Sequence, residues 1–100
     1  MIMISYNEAI DDEVMDCLKA CSIDSFTKWQ KVLGKGNLSG PHLDSTIWPG
    51  ANNVCLVVTE DDKATPLLTQ IKNLRQVLGK EGVKAFVLPV EEITEFRTKD

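Results

Sequence analysis

The chain has 100 residues and 43% apolar content, enough for one domain around a single core. Its formal net charge is −4, and no basic run is longer than two residues. That balance excludes a surface built for nucleic acid or for an anionic membrane.

Residues 1–6, MIMISY, are apolar and β-rich and predict a strand. They lack the positive start of a leader, so none is expected. Asn7 can cap the next element by accepting from open first-turn amides. Glu8, Asp11, Asp12 and Glu13 favour the positive end of a helix dipole. Ile10, Val14, Leu18 and Cys21 then fall on one face of an amphipathic helix over 8–21.

Ser22 to Ser25 is a turn, and Phe26 to Leu33 predicts a second strand. Its alternation is imperfect, because Phe26 and Val32 share a face with Lys28 and Gln30. That pattern suits a sheet edge. The stretch 29–50 holds four of the six glycines, two of the four prolines, both tryptophans and His42. Gly and Pro at this density forbid a long regular element and predict a long connection over 34–50.

Val54 to Thr59 is a continuous apolar run, as in a strand covered on both faces. Leu67, Ile71, Leu74 and Leu78 predict a helix over 66–78, with Pro66 in its first turn and Gly79 ending it. Val83 to Val90 is the last strand, with Pro89 at its end or at a sheet edge. The tail 91–100 is charged and reads as loose.

The order is βαββαβ. It predicts an α+β, ferredoxin-like sandwich: a four-stranded antiparallel sheet with both helices on one face. The strands are apolar on both faces, so the second face needs cover, and a closed homo-oligomer supplies it.

Chemistry-bearing clusters are few. Cys17 and Cys21 share a helix face and could join His42 or Cys55 around a soft metal. A cysteine continuing an apolar stripe is more simply a small core residue. Three cysteines without a Cys-x-x-Cys pair fit a reducing cytosol rather than a disulfide framework. One histidine without a fixed partner makes no catalytic constellation, and no enzyme is expected. Gly34-Lys35-Gly36 and the segment Gly79 to Lys84 pair open backbone amides with ammonium groups, which suits an anion.

The C-terminal segment GKEGVKAFVLPVEEITEFRTKD resembles the end of the nitrogen-regulatory P-II signal proteins. Lys84, Phe86, Val87, Val90, Arg97 and Thr98 match in order and spacing, as do the βαββαβ order and the long connection after strand two. Glu81-Gly82-Val83-Lys84 stands where that family has Gly-Asp-Gly-Lys. The connection 34–50 has no tyrosine to accept the uridylyl group of the bacterial switch. The resemblance implies a cytoplasmic homotrimer with sheets packed inward. It implies an adenine nucleotide (ATP, ADP or AMP) or another small anionic effector in the subunit clefts. Gly34, Lys35 and Gly36 at the loop root, Gly82 and Lys84 at the turn, and Arg97 in the tail are then the binding residues. It further implies a target protein, a membrane transporter or an enzyme, contacted through 34–50, with no insertion into the membrane. The alternative is a metal-responsive trimer of similar fold, using Cys17, Cys21, His42 or Cys55. The CutA divalent-cation tolerance proteins have that architecture, but their cysteine and aromatic motif is not present.

Overall fold

A computed structural model describes residues 1–33, 51–78 and 82–94. Alternation in the first residues becomes strand β1 (Ile2–Asn7), with Ile2, Ile4 and Tyr6 buried on one side. Asn7 does cap the next element: its Oδ1 accepts from the Ala9 amide at 2.8 Å. The element begins as a 3-10 turn (Glu8–Ile10) and continues as helix α1 (Asp11–Ala20). Strands β2 (Thr27–Val32) and β3 (Asn52–Val57) come next, then helix α2 (Asp61–Leu78) and strand β4 (Val83–Val87).

All strand pairs are antiparallel, in the order β2-β3-β1-β4. This is the ferredoxin-like sandwich, and β2 and β4 are its edges. Both helices pack on one face. Val14 and Leu18 from α1, and Leu67 and Ile71 from α2, meet Ile2, Ile4, Cys55 and Val57 in a core sealed from solvent.

Three boundaries differ from the pattern of apolar residues. β3 starts two residues earlier than Val54 and releases Val58, because Asn52 and Asn53 pair with Asn7 and Tyr6. Asn53 is tolerated inside a strand because its side-chain amide is hydrogen-bonded at both ends, to Lys31 N and to Asp11. α2 starts at Asp61, so Pro66 lies in the second turn rather than the first. The Glu60 carbonyl accepts from Lys63 and from Ala64, each at 3.1 Å, and Ala64 is buried against the core. Pro66 contributes no amide to the helix ladder. β4 stops at Val87, and Leu88 then exchanges hydrogen bonds with Met1 at 2.8 and 2.9 Å. The predicted end of α2 at Gly79, the connection 34–50 and the last six residues of the tail lie outside the described residues.

The end of α1 is a Schellman motif. Ile23 N donates to the Leu18 carbonyl and Ser22 N to that of Lys19, at 2.9 and 3.0 Å. Ser22 carries the left-handed conformation, φ 59°, that glycine normally supplies. Ser22→Gly removes the Cβ penalty and is expected to stabilise the fold by about 1 kcal/mol. A thermal melt should then rise by roughly 4–8 °C; a fall would show that the serine is needed in its own right.

Candidate functional site

Four chain segments converge at one end of the sheet: the ends of β1 and β2 and the starts of β3 and β4. Backbone hydrogen bonds join them. Asn7 N donates to the Gly82 carbonyl at 2.9 Å and Glu8 N to that of Ala51 at 3.0 Å. The turn into β4 and the return from the long connection therefore flank the 3-10 turn from either side. Gly82 needs no special backbone freedom, since a Cβ there would meet only Ile10 Cδ1 at an ordinary 3.7 Å. Its contribution is the carbonyl that anchors Asn7.

Lys84 pairs across the sheet with Ser5, and its side chain is exposed. It stands on the face away from the helices, in one row with Val54 and Trp29. The next row holds Thr27, Leu56, Met3 and Phe86. Trp29 and Phe86 are 49% and 44% exposed. This face is thus mostly apolar, interrupted by Ser5 and Thr27, with one ammonium near its edge. Val83, where the P-II pattern has glycine, points the other way: it is buried in the core opposite Tyr6.

On the helix side, the same end holds a half-buried polar node centred on Asp11. The Tyr6 hydroxyl donates to Asp11 Oδ1 at 2.5 Å. Lys28 Nζ donates to both carboxylate oxygens at 3.1 Å, and Asn53 Nδ2 to Oδ1 at 3.3 Å. Burial alone would push the Asp11 carboxyl up. The Tyr6 hydroxyl, the Lys28 ammonium and the Asn53 amide outweigh it and hold the carboxyl below its ordinary value. Burial, then the hydrogen bond to Asp11, push the Tyr6 phenol well above its ordinary range. At neutral pH the node is therefore a carboxylate gripped by a neutral phenol and an ammonium.

The cysteines are packed rather than poised. Burial pushes the Cys55 thiol up to about 11 and raises that of Cys17 as well. A nucleophile or metal ligand needs the thiolate, which these sites disfavour. Among the described residues, no group of three His, Cys, Asp or Glu side chains could hold a metal ion. His42 lies outside them.

The family model of nitrogen regulatory protein P-II matches residues 1–100. The chain belongs to the P-II family. Among solved structures it is similar to CPII, a nitrogen regulatory PII-like protein from Thiomonas intermedia K12, in a form bound to ADP, AMP and bicarbonate. Identity there is 15%, the TM-score 0.65, and the match covers 85% of this chain and 81% of that one. The apo form of CPII gives 16% identity and a TM-score of 0.63, over 85% and 80% of the two chains. A PII-like signalling protein of Thermus thermophilus gives 16% and 0.55, over 85% and 79%. Likeness at such identity is likeness of fold. No curated protein sequence matches the chain.

Of the P-II residues expected from sequence, Gly82 and Lys84 fall at the same end of the sheet. Gly34, Lys35, Gly36 and Arg97 lie outside the described residues, although Leu33 and Ala51, the stems of that connection, reach the same end. The Asp11 node was not expected. One signal for it stood in the sequence: a lysine on the core face of an edge strand requires an acidic partner, and Asp11 heads the helix above. No helix among the described residues is long and apolar enough to cross a membrane.

Proposed function

We propose that this chain is a non-enzymatic, cytoplasmic signal protein that works as a homotrimer. It binds a small anionic effector, foremost an adenine nucleotide, in the clefts between subunits, and it contacts a target transporter or enzyme through residues 34–50. The observation that carries this reading is the placement of Lys84. It lies on a mostly apolar face that a second copy would cover, at the sheet end where the connection 34–50 departs after Leu33 and returns at Ala51. Within one chain, β2 leaves the sheet three strand spacings from β4, roughly 14 Å. The exit of β2 and Lys84 therefore stand at opposite edges of one chain's sheet. In the proposed trimer, a neighbouring subunit packed on the open face would supply the second group. The ADP and AMP in the CPII structures support the choice of effector.

Isothermal titration of the wild-type protein with ATP, ADP, AMP and cyclic nucleotides tests the reading. Binding is expected for at least one of them. Lys84→Ala removes a charge-assisted contact to phosphate and should weaken it by roughly 10- to 100-fold. Heat from none of these nucleotides would end the nucleotide assignment. Undiminished binding by Lys84→Ala would remove Lys84 from the site.

A further inference from the structure

Between Trp29 and Val32, β2 slips against β3. Trp29 pairs with Val54 and Val32 with Asn52, so Gln30 and Lys31 together oppose Asn53. This is a β-bulge, a device that bends an edge strand and re-aims the residues beyond it. It forces Lys31 to φ 56°, a left-handed conformation disfavoured for a residue with a Cβ. A side chain replaces the ladder hydrogen bond lost there: Asn53 Oδ1 accepts from Lys31 N at 3.2 Å.

Asn53 is only 2% exposed, so its amide group has no freedom to seek water. Its Nδ2 donates to Asp11, and that bond selects the orientation that turns Oδ1 toward Lys31. Asp11 also holds Lys28, on the near side of the bulge, through both oxygens. Its own place is fixed by Tyr6 on the central strand. One carboxylate therefore grips β2 before the bulge directly and at the bulge through Asn53. An ion pair from Lys31 Nζ to Glu8 Oε1 at 3.3 Å adds a contact to the 3-10 turn.

We propose that Asp11 and Asn53 are positioning residues. They hold the strained Lys31 bulge and so set the direction in which β2 leaves the sheet beside Ala51. The effect on effector affinity rests on the function proposed above. The bulge itself does not. If its role is to aim the strand exit, loss of Asn53 should weaken effector binding, and glycine at position 31 should restore it. Glycine takes a φ of 56° without the Cβ penalty and needs no side chain to hold it there.

The test uses the full chain. Adenine nucleotide affinity is measured by titration for wild type, Asn53→Ala, Asp11→Asn, and Asn53→Ala combined with Lys31→Gly. Exchange of the Lys31 amide is followed by NMR in the same proteins. Ile71→Val, a core change of modest cost far from the bulge, serves as the stability control. Asn53→Ala is expected to lower affinity about five- to tenfold and to expose the Lys31 amide. Adding Lys31→Gly should recover most of the affinity, and Ile71→Val should leave it unchanged. Equal affinity and equal Lys31 protection in wild type and Asn53→Ala would overturn the proposal, as would an affinity loss that tracks stability and is not rescued. If the wild-type protein binds no nucleotide, the effector reading fails by itself. The Lys31 amide then decides the positioning role: faster exchange in Asn53→Ala and Asp11→Asn upholds it, and unchanged exchange refutes it.

Discussion

Leu56→Asp is expected to turn the proposed trimer into a folded monomer. Leu56 lies on the face away from the helices, between Thr27 and Met3, with Phe86 beyond. It takes no part in the buried core of the single chain, so the subunit should keep its helix and strand content by circular dichroism. The oligomer is affected differently. Covering this face with a second sheet would take one unpaired carboxylate per subunit out of water, at several kcal/mol per ion. The uncovered alternative, an apolar face of roughly several hundred Å², is uncommon on a soluble monomer. Light scattering after size exclusion should therefore give trimer mass for the wild type and monomer mass for the variant. A monomeric wild type would sink the assembly itself. A variant that keeps the wild-type mass would place the interface on another surface.

The architecture could be read from the sequence because it depends on periodicity. Ile10, Val14 and Leu18 at helical spacing, and the alternation of Ile2, Ile4 and Tyr6, each identify an element and its buried face. What periodicity could not supply was polar compensation. Asn52 and Asn53 look like loop residues before an apolar run. They are strand residues because Tyr6 and Asn7 pair with them and Asp11 satisfies the buried amide of Asn53. Pro66 looks like a helix start, but burial of Ala64 draws the helix back to Asp61. For the candidate site, the resemblance to the P-II proteins pointed to Gly82 and Lys84, while topology alone showed that the stems of the long connection share their end of the sheet. The bulge at Lys31 left no mark in composition, since a lysine at positive φ is set by its surroundings and not by its own preference.

Asp11→Ala should produce the largest loss of stability among single changes at this end of the sheet. It leaves the half-buried Lys28 ammonium, the Tyr6 hydroxyl and the Asn53 amide without their common acceptor. Stranding such groups costs about 2–3 kcal/mol in total once partial exposure is allowed for. For a chain of this size, that lowers the melting temperature by roughly 10–20 °C at pH 7. The difference should depend on pH with a definite sign. The carboxyl in the fold titrates below the ordinary value of 3.8. Its contribution is therefore fully present above the unfolded value and is lost as pH falls through the folded one. Melts of wild type and variant should stay well apart from pH 7 down to about 5 and converge below about 4. A separation that persists unchanged into acid would mean that Asp11 acts by shape and not by charge. Adding Lys28→Met to Asp11→Ala separates the causes further. If the cost arises from the stranded ammonium, removing it should return part of the lost stability, because a half-buried charge without a partner is worse than none. If the double variant is no more stable than Asp11→Ala, the Tyr6 and Asn53 hydrogen bonds carry the node, and Lys28 belongs to the edge of β2 alone.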